Sequence, residues 1–387
     1  MKIVHIAPNA PYNEGWGYQE NLLPKYQKKL GHDVVLIVPN LTHKDGKVVE
    51  TGVEDYVSSD GIRVIRLQRK KYSHRVLTKL RARLEVYPLL KELRPDFVFF
   101  HGLVSTTIFD VVKYKKELAP QCVIVQDNHL DYNIGTRCRS AKEKLIRGYY
   151  RRMNRRSIRY VDRVYGVTPW RQTYARDYFR IPPEKTGVLI MGADDEKIDL
   201  AHRREIRQKL RGEYGISEED FLIVTGGKID QKKQIHHLME ACRDLSNVKL
   251  LVFGQVAEDV RPDFDRARKD NDNVRYIGWL DADRVYDYFL AAELVFFPGQ
   301  HSVLWEQACA CKVPCVFSKW EGMAHIDNGG NSDFILSTDR ESIAEKILQL
   351  RFTPKYHSMK AVALSDATDI YMYSEIAKKS LECADLK

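Results

Sequence analysis

Three lysines, Lys228, Lys232 and Lys233, stand within a few residues of the apolar run at 221–225, with Gly227 just ahead of them. Side chains from a strand-to-helix loop can reach into a crevice at the carboxyl edge of a sheet, where such cations neutralise a phosphate. Lys228 would offer a point charge and not a bidentate fork, and a solvated basic loop has the same composition. Further along, Glu306 lies one turn into a helix that the sequence predicts to start near His301. Such a start aims backbone N–H groups of Ser302, Val303 and Leu304 at a phosphate. A carboxylate there can accept hydrogen bonds from a pair of sugar hydroxyls, although an acid near a helix N-terminus is also favoured by the dipole alone. In the first half, Gly15 and Gly17 follow the opening strand, where small residues let backbone approach a ligand or simply make a turn. Asp127 and His129 come just past the run 123–126, as polar groups of a site or of a structural loop.

No dedicated nucleophile stands out. Cys309, Cys311 and Cys315 lack an ordinary zinc spacing and read as buried free thiols. The seven cysteines are an odd number at irregular spacing, which argues against a disulfide framework and for a reducing compartment.

These groups need a scaffold, and the apolar pattern predicts one. Strands are expected at KIVHIA, VVLIV, VIRL, FVFF, VIVQ, RVYGV and GVLIM, then at FLIVT, KLLVFG, VRYIG, LVFFPG, PCVFS and DFILS. Helix-like stretches such as NLLPKYQKKL, IHHLMEACRDL and RESIAEKILQL lie between them. Short apolar strands alternating with helices indicate parallel sheets covered on both faces, and two such sets indicate two doubly wound domains. The break is expected between residues 191 and 210, giving domains at 1–190 and 191–370, with a last helix within 371–387.

A length of 387 residues also fits two domains. No run approaches eighteen apolar residues, so no membrane span is expected, and the Met1 end reads as a strand and not as a secretory signal. Charge is divided unevenly. Residues 1–185 hold 35 Lys and Arg against 19 Asp and Glu, whereas the rest hold 27 against 34. Arg69, Lys70, Lys71, Arg75, Lys79, Arg81 and Arg83 alternate with apolar residues, and residues 142–163 form a second basic stretch interleaved with tyrosine. This pattern suits an anionic membrane surface or a solvated basic face. No nucleic-acid module is recognised, so no nucleic-acid partner is expected.

Several short motifs, taken in order, resemble the retaining glycosyltransferases of family four (glycosyl transferases group 1). They are Gly31-His32-Asp33-Val34, Arg94-Pro95-Asp96-Phe97 leading to His101, and Gly226-Gly227-Lys228 with Lys232 and Lys233 behind it. Tyr276-Ile277-Gly278-Trp279, Phe297-Pro298-Gly299 and Trp305-Glu306-Gln307-Ala308-Cys309 follow. The resemblance spans nearly the whole chain. It implies an α/β GT-B fold, two doubly wound, parallel-sheet Rossmann-like domains facing a central cleft. It also implies a nucleoside-diphosphate sugar as donor, a glycan or lipid-linked acceptor, and retention of configuration. No metal and no cofactor is implied, and the setting is cytoplasmic or peripheral on the inner face of a membrane. Lys228 and Lys233 would stabilise the departing diphosphate and Glu306 would hold the ribose. His129 or Asp127 would contact the donor sugar near the reacting carbon.

One departure is plain. The family carries two glutamates separated by seven residues, and the position ahead of Glu306 falls on Pro298 in a shortened loop. Gln300 or His301 stands where the first glutamate would act. A non-catalytic partner of another transferase and a nucleotide-sugar epimerase are the rival readings.

Overall fold

The structure is a computed structural model that describes residues 1–44, 47–72, 83–132 and 141–384, the Lys142 side chain excepted. Two compact units divide the chain. The first comprises Met1–Ile190 and Ser374–Lys387, and the second is the continuous stretch Met191–Tyr373.

The first unit contains β1 (Lys2–Ile6), β2 (Asp33–Pro39), β3 (Leu41–Lys44), β4 (Lys47–Glu50), β5 (Glu54–Val57), β6 (Arg63–Leu67), β7 (Phe97–Phe100), β8 (Val123–Asn128), β9 (Arg163–Gly166) and β10 (Thr186–Val188). Its main sheet has the order β10-β9-β8-β7-β1-β2-β6-β5. All neighbours are parallel except β5 and β6. The antiparallel edge strand β5 and the separate β3–β4 hairpin are additions to the expected all-parallel pattern. Central strands such as β7, Phe97-Val98-Phe99-Phe100, are buried at every residue because helices cover both faces. Leu22, Leu23 and Tyr26 of the helix Gln19–Lys29 are among the residues that bury there.

The second unit contains β11 (Phe221–Ile229), β12 (Val248–Val256), β13 (Val274–Gly278), β14 (Leu294–Phe297), β15 (Cys315–Ser318) and β16 (Ser332–Ile335). They form one parallel sheet in the order β13-β12-β11-β14-β15-β16. Helix starts follow local rules. Asp339 accepts from the Ser342 N–H, and Thr353, directly before Pro354, accepts from the Tyr356 N–H.

Both sheets reverse their winding beside their first strand. In the first unit β1 lies between β2 and β7, and in the second β11 lies between β12 and β14. The helices that follow strands on either side of such a point diverge, which opens a crevice beyond the carboxyl ends of the two central strands. The lysines lie at and just past the end of β11, and Gln300, His301 and Glu306 follow β14; Asp127 and His129 stand at the end of β8, next to β7, and Gly15 and Gly17 lie farther along the loop after β1.

The helix Tyr373–Leu381 takes its place with the first unit through Ser380, which accepts a hydrogen bond from Gln27. Among the described residues, no helix is long and apolar enough to cross a membrane.

Candidate functional site

At the switch point of the second sheet, two loops interlock. Lys228 belongs to β11 itself and not to the loop after it, a correction to the expected placement. The strand runs on because it pairs with β12 as far as Ile229. The Lys228 ammonium is exposed and 3.8 Å from Asp230, and Lys232 is also exposed. Lys233 differs from both. Its Nζ donates to the Gln300 carbonyl at 2.6 Å and to the His301 carbonyl at 3.0 Å. The Gln300 N–H in turn donates to the Lys232 carbonyl at 2.9 Å. Burial pushes the Lys233 ammonium down to about 8, with Asp230 partly opposing and Lys228 adding to the fall. Lys233 is therefore a strut between the loops, with one N–H left of its three.

Glycine makes the close approach feasible. A Cβ on Gly299 would run into the backbone of Lys232 and Lys233, and a Cβ on Gly227 would lie 2.7 Å from Leu304 Cδ1. Gly227 also has φ +105°, which a side chain would strain.

The helix carrying Glu306 begins at Leu304, later than expected near His301. Val303 caps it, and residues 301 and 302 have no regular structure. The carbonyls of Ser302 and Val303 accept from the N–H groups of Trp305 and Gln307. Glu306 is wholly buried. His301 Nε2 lies 2.8 Å from Glu306 Oε1 and 3.0 Å from Oε2, and His325 Nε2 lies 2.9 Å from Oε1. Burial alone would raise this carboxyl, but the two imidazoles outweigh it and hold Glu306 down at about 2. A carboxylate has about four acceptor positions. Two N–H donors serve it here, His325 on Oε1 and His301 shared between Oε1 and Oε2.

The ligand atoms of His301, Glu306 and His325 lie within 4.8 Å of one another. Two histidines and a glutamate are a zinc-type set. Their N···O separations are nevertheless those of direct hydrogen bonds. The His325 Nδ1 is buried without a partner, whereas a metal-bound imidazole donates its other nitrogen to an acceptor. The geometry is that of a closed, hydrogen-bonded cluster.

In the first unit, Asp127 falls in the last turnless stretch of β8 and His129 just beyond it. Asp127 is fully buried and accepts from Gly102 N–H at 2.7 Å, from His101 Nδ1 at 2.9 Å and from His129 Nε2 at 3.3 Å. Burial works against ionisation, but His129 and His101 keep the Asp127 carboxyl far below its ordinary range. Burial would lower His129, and Asp127 reverses that and raises it. A pocket of about 250 Å³ opens here, lined by Asn9, Glu20, His101, Gly102 and His129 among others. Gly15 and Gly17 do not line it. Gly15 serves a turn at φ +77°, and neither glycine has a neighbour within 4 Å of where a Cβ would stand.

The described members of the basic cluster are largely paired: Lys70 with Glu85, Lys71 with Glu50, and Arg83 with Asp110. Arg75, Lys79 and Arg81 lie outside the described residues, as do Cys138 and the side chain of Lys142. The six described cysteines are buried.

Sequence reasoning overlooked His5, Gln27 and His325. His325 is nineteen residues beyond Glu306, with no regular spacing to betray it. His5 sits in an otherwise apolar strand, and a polar letter in a buried strand was the available signal.

The sequence matches two families, Glycosyltransferase Family 4 over residues 22–197 and Glycosyl transferases group 1 over residues 206–360. No curated protein matches it. Among solved structures, a glycosyltransferase from Rickettsia africae ESF-5 is similar over 100% of this chain and 98% of its own, at 16% identity and a TM-score of 0.71. HepE of Anabaena in complex with UDP is similar over 100% of both chains, at 16% identity and a TM-score of 0.70. WaaG, a glycosyltransferase involved in lipopolysaccharide biosynthesis, is similar over 99% of both chains, at 16% identity and a TM-score of 0.65. With a family match on each unit and a parallel sheet in each, the chain belongs to the GT-B glycosyltransferases of group 1.

Proposed function

We propose that this chain transfers a sugar from a nucleoside-diphosphate donor to a glycan or lipid-linked acceptor, with retention, in building a cell-surface polysaccharide or glycoconjugate. The observation that carries this reading is the interlocked pair of loops at the β11/β14 switch point, with Lys228, Lys232 and the third N–H of Lys233 beside the Glu306 cluster. Exposed ammonium groups there suit a diphosphate, and the Glu306 carboxylate, whose Oε2 receives only a shared N–H, suits a ribose hydroxyl. HepE, a structural neighbour, was solved with UDP, which supports a nucleotide in this fold.

In the reaction the bond between the anomeric carbon and the phosphate oxygen breaks, and its electron pair leaves with the diphosphate. The acceptor oxygen bonds to the same carbon on the same face, and its proton passes to the departing phosphate. Lysine charge stabilises the diphosphate as its negative charge grows. His129, oriented by Asp127, is the polar group that the first unit offers to a substrate hydroxyl. Gln300 and His301 take the place of the glutamate missing at Pro298. No metal is used, so turnover should survive a chelator unchanged.

A thermal-shift panel with UDP, GDP, ADP, dTDP and CMP tests the site. At a hundred times its dissociation constant a nucleotide stabilises the native state by about 2.7 kcal/mol. One protecting nucleotide, followed by sugar transfer from its sugar conjugates, is the expected result. Protection without turnover would point to a non-catalytic partner protein, and conversion of free donor without acceptor to an epimerase. No protection by any nucleotide would overturn the reading. The basic first half further supports peripheral attachment at the cytoplasmic face of an anionic membrane. Flotation with anionic but not neutral liposomes, weakening with salt, is expected, and equal failure with both would reject attachment.

A further inference from the structure

A buried polar chain in the first unit has a countable number of protons. Ser380 Oγ lies 2.6 Å from the Ala377 carbonyl, so its single proton is donated there. The hydroxyl is then an acceptor, and Gln27 Nε2 donates to it at 2.8 Å. This sets the amide, turning the Gln27 oxygen toward His5 Nε2 at 2.7 Å. An amide oxygen only accepts, so His5 Nε2 carries a proton. His5 Nδ1 lies 3.1 Å from His101 Nε2, and His101 Nδ1 lies 2.9 Å from Asp127 Oδ2. Three hydrogen bonds thus join two acceptors through two imidazoles. They require three N–H protons, and two neutral rings supply only two.

The third proton has three places to go. Asp127 already receives the Gly102 N–H and His129 as well as His101, which favours its ionised form. His5 is fully buried between Phe99 and the Gln27 amide, with no carboxylate against it. Burial first, then the proximity of His101, lowers it to about 3. Of the two linked rings, His101 is the one that touches the carboxylate, with His5 on its other side. Register explains the meeting: Phe99 pairs with His5 on β1 and with Val125 on β8, so His101 and Asp127, two residues on, share that face.

We propose that His101 is a resident imidazolium, paired with Asp127 inside the first unit, and that Ser380 sets this state through the amide of Gln27. His101 is thereby a positioning residue. Its charge keeps Asp127 ionised, and Asp127 orients His129 at the pocket. The titratable and charged groups around it are His5, Asp127 and His129, with Glu20 and Arg171 acting on His129. The assignment stands whether or not a sugar is transferred.

The test is nitrogen-15 spectroscopy of the full chain labelled at histidine, with His101 assigned by loss of its signals in His101→Asn. Both ring nitrogens should carry a proton in the folded chain at neutral pH. Gln27→Glu keeps an acceptor and should keep that signature. Gln27→Met removes the acceptor and Ser380→Ala lets the amide turn, so both should give a singly protonated His101. A singly protonated His101 in the parent protein overturns the proposal. So does an imidazolium that persists in both Gln27→Met and Ser380→Ala.

Discussion

Replacing Glu306 by Gln tests the buried carboxylate's charge apart from the shape of the site. The parent carboxyl is lowered from 4.5 to about 2 by His301 and His325, which outweigh its burial. At 1.36 kcal/mol per tenfold change, that difference corresponds to roughly 3 kcal/mol of stability. The sign follows from the folded value lying below the unfolded one. The contribution is complete above about pH 4.5 and disappears as pH falls toward about 2. Glutamine keeps the volume but has no charge, and its NH2 group faces an imidazole N–H where the parent had an acceptor. Glu306→Gln should therefore lose roughly 3 kcal/mol near neutral pH, which in a unit of this size lowers Tm by roughly 6–12 °C. Melting followed by calorimetry in steps from about pH 7 to about pH 3 reads both effects, since the variant should also lose part of the parent's acid-induced fall. Repeating the melts with the protecting nucleotide checks the proposed ribose contact, because protection should vanish. A variant that melts with the parent at neutral pH and keeps the parent's acid limb would refute the reasoning.

Lys233 should give opposite signs in two assays. Its folded value, about 8, is below the ordinary 10.5, so folding stability rises with pH between those values while nucleotide affinity falls as pH passes through about 8; isothermal titration and melting over that range check both. Glu293→Ala strips the partner from buried Arg211, which pairs with it at 3.0 Å, and should cost about 3–5 kcal/mol in denaturant unfolding. Gly299→Ala drives a methyl into the backbone of Lys232 and Lys233 and should cost about 1–3 kcal/mol, with weaker nucleotide binding by titration.

Much of the scaffold was legible because buried parallel strands write themselves as short apolar runs. The run FVFF is β7, and FLIVT is the start of β11. What periodicity misses is structure held by main chain. The hairpin β3–β4 has mixed, half-exposed strands that write no clear apolar run in the sequence. Site residues divide in the same way. Glu306 was found from its place near a helix start, but the histidines that hold it come from a loop on one side and a point nineteen residues on. Lys233 read as a cation for a ligand, and its partners turned out to be carbonyl oxygens, which no residue letter encodes. The chain from Ser380 to Asp127 depends on strand register and on contact between residues more than 350 positions apart in sequence.

The discontinuity of the first unit has a consequence for synthesis. Ile376, Ala377 and Ser380 are buried, and they leave the ribosome only after the whole of the second unit has been made. The second unit is one unbroken stretch and can close as soon as it emerges. The half that is translated first is thus the half that matures last, and until then the Gln27 amide lacks the hydroxyl that orients it. A chain released after residue 373 would hold the whole second unit but would leave the first unit without the helix that carries Ser380.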